Sequence, residues 1–155
     1  MGDDRIESVR GLALVDEFVG NEAAATDYDA VVISVPTDGS YLAVLRTATA
    51  GIAARLLFAL DEIEDLRIAV DEACGMLLPL ASAGGELTCR FEIGPDALVV
   101  DVSVPTDGTV QLPSAQSFAW QVLTALAADV RASAVAGRAG IRVVSRGATM
   151  RSGTA

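Results

Sequence analysis

Glu72 is the side chain whose type and position best suit a chemical role. It lies in residues 63–76, I-E-D-L-R-I-A-V-D-E-A-C-G-M, four residues before Met76. That spacing places both side chains on one face of a helix. A carboxylate such as that of Glu72 can act as a general base, whereas the thioether of Met76 is soft and apolar and is a poor ligand for a hard cation. The alternative is that Glu72 is a solvated carboxylate at the border of the core.

The composition excludes several other kinds of site. The 155 residues contain no histidine, which excludes a histidine zinc site, a Ser-His-Asp triad and a Cys-His dyad. Cys74 and Cys89 lack the spacing of a metal or redox pair, so we expect two small buried hydrophobes in a reducing compartment. The net charge of −10 argues against nucleic-acid binding, which needs clustered basic side chains.

The charge and the apolar pattern also bear on location and partners. No apolar run approaches the roughly 20 residues of a membrane span, and M-G-D-D-R-I-E is not the start of a secretory signal. We therefore expect a cytoplasmic protein with neither membrane nor nucleic acid as a partner. The acidic surface could meet a basic protein surface, or it could serve solubility alone.

The hydrophobic pattern predicts the order β-α-α-β-β-α-β within one domain, residues 30–148. Strands are predicted at 30–36, 86–93, 97–104 and about 140–145, and helices begin near Tyr41 and Asp61. A third helix is marked by an apolar stripe of Phe118, Val122, Leu123, Leu126 and Val130. This order predicts an α/β two-layer sandwich, in which helices cover one face of a mixed, mostly antiparallel sheet. Residues 1–29 are predicted to be an acidic, mobile arm and 149–155 a disordered tail.

Three segments together resemble a known family over roughly residues 30–148. Residues 63–76 are similar to a signature helix that reads I-x-D-[LI]-x-x-[AV]-[VL]-x-E-[AV]-x-T-N-A. Residues 37–48, T-D-G-S-Y-L-A-V-L-R-T-A, resemble the first helix of that family, and residues 117–130 resemble its third. The family is that of the anti-sigma factor kinases, a branch of the GHKL (Bergerat-fold) ATPases, and the actinobacterial anti-sigma factors are the most similar branch.

The resemblance implies an ATP site that departs from the family pattern at three points. Glu72 matches the catalytic base, but Met76 stands where an asparagine holds the magnesium of ATP. Asp107-Gly108, in V-P-T-D-G-T-V, matches half of the D-x-G-x-G segment that reads adenine; the alternative is an ordinary surface turn. Residues 117–120, S-F-A-W, replace the G-x-G-[FLM] element that offers backbone N–H groups to the phosphates. We therefore expect no metal site and no cofactor, or weak binding of ATP with Mg²⁺.

The resemblance also implies a function and partners. It implies an anti-sigma factor that sequesters an alternative RNA polymerase sigma factor and is antagonised by a STAS-domain anti-anti-sigma factor. Arg46 matches the arginine of the family's first helix and is the candidate partner-binding residue; the alternative is a surface arginine with no role. A homodimer through the sheet edges is expected. The alternative functions are an active ATP-dependent serine kinase acting on the anti-anti-sigma factor, and a degenerate scaffold with neither partner.

Overall fold

The computed structural model describes residues 28–148, so the predictions for most of the arm and for the tail lie outside the described residues. Three helices are α1 (Leu42–Arg55), α2 (Leu60–Leu77) and α3 (Phe118–Leu126). Five strands are β1 (Asp29–Pro36), β2 (Glu86–Ile93), β3 (Leu98–Pro105), β4 (Asp129–Val135) and β5 (Arg138–Ser145). Short 3-10 turns at Gly39–Tyr41 and Leu78–Leu80 precede α1 and follow α2.

The five strands form one sheet in the order β1-β2-β3-β5-β4. Each neighbouring pair is antiparallel, so the described sheet lacks the parallel pairing that a mixed sheet would contain. The predicted hairpin of β2 and β3 is present, and its register pairs Phe91 with Val100. The α/β sandwich and its antiparallel character are confirmed.

Strand β4 is absent from the prediction. The third helix was predicted to continue to Val130, but it ends at Leu126, and Val130 lies in β4 opposite Val143 of β5. The reversal between the two strands uses Gly137, whose φ of +85° is readily adopted by glycine. The last hairpin of the sheet therefore replaces the end of the predicted helix.

The core lies between the helices and one face of the sheet. Helix α2 is central: it packs on α1, on α3 and on strands β3 and β5. Alternate residues of the strands face it, because successive side chains of a strand point to opposite faces. The side chains buried in this layer include Leu45, Leu66, Val70, Leu77, Leu87, Phe91, Val100, Val102, Leu123 and Ile141. No helix within residues 28–148 is both long enough and apolar enough to span a membrane.

Candidate functional site

The candidate site lies along the groove between α1 and α2. Only residues 56–59 connect these helices, so the chain reverses sharply between them. The reversal occurs at Leu57, whose φ of 60° is left-handed, and the Phe58 N–H donates to the carbonyl of Ala53 at 3.1 Å. The middle of α1 therefore faces the second half of α2, where Glu72 and Met76 lie.

Arg46 contacts α2 directly. Its Nη1 donates to Oδ1 of Asp71 at 2.8 Å, and the two side chains are 40% and 37% exposed. The arginine that sequence analysis singled out on α1 is thus joined to the residue that precedes Glu72. Asp71 was not singled out, because the sequence alone does not show which acidic residue of α2 faces α1.

Glu72 is half-buried on α2, and within residues 28–148 its carboxylate has no hydrogen bond or ion pair. Met76, one turn later, is also half-buried and packs against the hydrophobic core. The carboxylate is thus available to accept a proton. The thioether at position 76 is turned to apolar neighbours and offers no hard oxygen to a cation.

Asp107 and Gly108 form a turn that is hydrogen-bonded to the segment following α2. Ser82 Oγ donates to Oδ1 of Asp107 at 3.0 Å, and the Ser82 N–H donates to the carbonyl of Pro105 at 2.8 Å. Gly108 has a φ of +68°. Because Ser82 follows the C-terminal end of α2, these bonds place Asp107 at the same end of the sandwich as Met76.

Thr106, beside Asp107, is a polar residue that sequence analysis missed. It is buried, its N–H donates to the carbonyl of Gly137 at 3.0 Å, and its Oγ1 lacks a hydrogen-bond partner among the described residues. A buried hydroxyl without a hydrogen-bond partner lowers the free energy of unfolding by about 1–3 kcal/mol. Its position next to the Asp107-Gly108 pair is the only signal that the sequence offered.

The side chain of Ser117 caps the start of α3. Ser117 Oγ accepts a hydrogen bond from the Trp120 N–H at 3.2 Å. Phe118 is 82% exposed, whereas Trp120 is half-buried against the core. The hydroxyl of Ser117 therefore occupies a backbone donor that a phosphate at this helix start would need.

These observations decide whether the residues present fit Mg-ATP. Glu72 is a lone carboxylate, the side chain at position 76 is a thioether, and the Trp120 N–H is already bonded. Asp107, which the resemblance matches to the adenine-reading aspartate, already accepts a hydrogen bond from Ser82. The residues do not fit magnesium-bound ATP as a complete ligand.

The two cysteines are buried, as predicted. Burial raises the pKa of the Cys74 thiol to about 12, and the carboxylate of Asp71 adds to this shift while Arg46 opposes it. Burial also raises the pKa of the Cys89 thiol well above its ordinary value. Both thiols are therefore protonated and unreactive at neutral pH.

Comparison with known proteins identifies the family. No model of a protein family matches the chain. The anti-sigma-F factor RsbW of Mycobacterium tuberculosis is 35% identical over 126 residues, which cover 80% of this chain and 73% of that protein. The chain belongs to the RsbW family. The GHKL anti-sigma resemblance read from residues 63–76 is thereby confirmed.

Other RsbW proteins match over a shorter stretch. The serine-protein kinase RsbW of Bacillus subtilis is 37% identical over 78 residues, which cover 48% of this chain and 49% of that protein. The kinase of Bacillus velezensis is 34% identical over 82 residues, or 51% of each chain. This chain thus spans about half the length of the Bacillus relatives. RsbW proteins carry both names, anti-sigma factor and serine kinase.

Proposed function

We propose that this RsbW-family protein is an anti-sigma factor that binds and sequesters an alternative RNA polymerase sigma factor at the groove between α1 and α2. The Arg46–Asp71 pair, half exposed in that groove, is the observation that carries the proposal. A STAS-domain anti-anti-sigma factor competes for an overlapping surface and releases the sigma factor. The Mycobacterium tuberculosis relative, an anti-sigma-F factor, supports this function.

Arg46 is suited to bind a carboxylate of the partner. One of its N–H groups is held by Asp71, and a guanidinium has five in a planar fork. The remaining donors can bind an acidic side chain in the bidentate geometry that arginine favours. Asp71 fixes the guanidinium before the partner arrives, which lowers the side-chain entropy lost on binding.

We further infer that phosphoryl transfer by this chain is weak or absent. Transfer of a phosphoryl group depends on metal ions that neutralise the phosphate charge and on groups that position the phosphates. Met76 and the capped start of α3 offer neither. Regulation then depends on occupancy of the groove, or on phosphorylation of the antagonist by another kinase.

A serine kinase is the second candidate. It is favoured by the half-exposed carboxylate of Glu72, which has no hydrogen bond or ion pair within residues 28–148, and by the names of the Bacillus relatives. In this reading Glu72 accepts the proton of a serine hydroxyl on the anti-anti-sigma factor.

Two measurements separate these candidates. Isothermal titration with Mg-ATP and transfer of labelled γ-phosphate to the cognate antagonist are expected to give weak heat and no stoichiometric labelling. Tight binding together with labelling that disappears in Glu72→Ala would establish the kinase instead. Capture from cell extract, followed by mass spectrometry, tests the sigma factor itself: recovery of neither sigma factor nor STAS protein at any salt concentration would favour a scaffold without these partners.

A homodimer and a cytoplasmic location are part of the proposal. They are supported by the family to which the chain belongs.

A further inference from the structure

The helices leave the β1 edge of the sheet partly uncovered. Helix α2 lies over β3 and β5, and α3 lies over β4, so α1, which packs on α2, is the helix nearest β1. On the helix-facing side of the sheet, Val31 of β1 is 39% exposed, whereas its cross-strand partner Phe91 on β2 is fully buried. The helix layer therefore ends between β2 and the start of β1.

Helix α1 presents an apolar strip to this uncovered edge. The strip repeats every four residues and so lies on one side of the helix, and Val44, its first member, is 49% exposed. Its other members are half-buried against the hydrophobic core. We call the channel between this strip and β1 the edge groove; it is lined by Val31, Ile33, Val44, Ala48 and Ile52.

The chain enters the edge groove at its open end. Residues 1–27 directly precede Tyr28 and the first residue of β1. Five residues connect the end of β1 at Pro36 to the start of α1 at Leu42, so α1 runs back along β1. The last turns of α1 therefore lie beside the start of β1, where the preceding segment arrives.

The sequence of that segment contains a pattern suited to the groove. Residues 12–19 read L-A-L-V-D-E-F-V. At helical spacing one side of this stretch is apolar and the other carries both acids; the apolar side comprises Leu12, Leu14, Val15, Phe18 and Val19. Residues 20–27 join it to Tyr28 and can span roughly 26–29 Å when extended. The strip from Val44 to Ile52 is only about 12 Å long, so the connection reaches all of it.

We propose that residues 12–19 form an amphipathic helix whose apolar side docks in the edge groove of the same chain. The docked helix covers Val31 and the strip on α1, and so continues the helix layer to the last strand of the sheet. Covering an exposed edge strand with a helix is one of the ways in which proteins prevent unwanted strand pairing. In this arrangement the segment is an ordered part of the domain, and not the mobile arm predicted from composition.

The distribution of charge supports this occupant. Residues 1–27 contain seven acidic side chains and two arginines, and residues 28–148 contain 14 acidic side chains and eight arginines. Most of the domain surface therefore repels the segment. The edge groove is neutral: Arg55 follows the strip in the last turn of α1, and Asp29 begins β1. Arg55 is exposed and has no ion pair within residues 28–148, so it is available to Asp16 or Glu17.

The docked helix leaves the proposed partner-binding arginine accessible. The residues of the strip lie about 120–160° around α1 from Arg46, which faces α2. The edge groove and the groove between α1 and α2 are thus on different sides of α1. The inference is therefore independent of the proposed function.

Hydrogen exchange of the full-length chain, followed by mass spectrometry, tests the docking. In the parent, the amides of residues 12–19 are expected to exchange at least tenfold more slowly than those of a free peptide of the same sequence. Val31→Asp places a charge in the groove and is expected to abolish this protection. Val32→Asp is the matched control, because Val32 is 55% exposed on the opposite face of the same strand.

A second pair of variants tests the contact from the other partner. Phe18→Asp interrupts the apolar side of residues 12–19 and is expected to abolish protection, whereas Ala13→Asp, on the polar side, is expected to retain it. Circular dichroism with thermal unfolding verifies the fold of each variant. A parent with unprotected amides at residues 12–19 would overturn the inference, as would protection that survives both Val31→Asp and Phe18→Asp.

A dilution series separates docking within one chain from docking on another. Protection is expected to be the same at every concentration, with the mass measured by sedimentation velocity. Protection that appears only where the chain dimerises would place the segment on a second copy and overturn the inference. Equal loss of protection in Val31→Asp and Val32→Asp would also overturn it, because the segment would then depend on the strand and not on the groove.

Discussion

The guanidinium of Arg46 and the carboxylate of Asp71 meet at 2.8 Å across the groove between α1 and α2. The ion pair therefore fixes which side of α2 faces α1. Glu72 follows Asp71 in sequence, but consecutive side chains of a helix do not face each other, so Glu72 points away from the Arg46–Asp71 pair. The candidate partner-binding arginine and the candidate base can therefore be tested by separate substitutions.

The first prediction concerns Arg46. Arg46→Glu removes the donor and sets a carboxylate beside Asp71, so we expect the affinity for the sigma factor to fall at least tenfold while the fold persists. Surface plasmon resonance with the captured sigma factor measures this. Arg55→Glu is the control, because Arg55 is exposed in the last turn of the same helix. Equal losses of affinity for both variants would indicate a general charge effect. Unchanged affinity of Arg46→Glu would show that Arg46 does not bind the sigma factor.

The second prediction concerns the residue at position 76. Met76→Asn restores an oxygen ligand one turn after Glu72, so we expect affinity for Mg-ATP to rise measurably over the parent. Met76→Leu is the matched control, since it keeps an apolar side chain of similar volume. Titration of each variant with Mg-ATP and with ATP plus a chelator separates the metal contribution. Identical affinities for the asparagine and leucine variants would show that position 76 does not limit nucleotide binding.

The sequence was sufficient to predict the elements whose pattern is local. Strands β2 and β3 alternate cleanly, and Leu66, Val70 and Leu77 mark the buried side of α2 at helical spacing. Strand β4 could not be found this way. Val130 continues the helical spacing of Leu123 and Leu126, and only its pairing with β5, a contact distant in sequence, makes it a strand residue.

The candidate site was predictable in part, for the same reason. Arg46 stands out because it is the lone charge in an apolar stretch. Asp71 does not, because it is one of six acidic residues between positions 61 and 72. Only the packing of α1 on α2 shows that Asp71, and not another of these acidic residues, contacts Arg46. Likewise, the cap of Ser117 on Trp120 decides which backbone donors remain available at the start of α3, and that depends on side-chain geometry.

The third prediction concerns the buried thiols at alkaline pH. Cys74 has a pKa of about 12 in the folded protein, against 9.0 for an ordinary thiol. Between these values the unfolded chain loses a proton that the folded chain keeps, so the free energy of unfolding falls as pH rises, by about 1.4 kcal/mol per pH unit for this thiol. Denaturant unfolding between pH 9 and 11 is expected to show a shallower decline in Cys74→Ala than in the parent. Parallel declines would contradict the shifted pKa.

The fourth prediction concerns the ion pair of Asp101 and Arg142 on the sheet face turned away from the helices. Asp101 is 2% exposed and bonded twice by Arg142, and its burial raises its pKa despite that partner. Arg142→Met leaves the carboxylate buried without its counter-charge, which is expected to cost about 3 kcal/mol at pH 7. Without the arginine the pKa of Asp101 rises further, so acid protonates and neutralises the buried group.

The loss of stability in Arg142→Met is therefore expected to shrink as the pH falls from 7 towards 4. Guanidinium unfolding at several pH values measures it, with Arg131→Met as the control on the same face, since the Arg131 side chain is 74% exposed. The double variant Asp101→Asn with Arg142→Met removes the buried charge altogether and is expected to recover part of the lost stability at pH 7. A pH-independent loss, or a double variant less stable than Arg142→Met alone, would show that the pair acts through packing and not through charge.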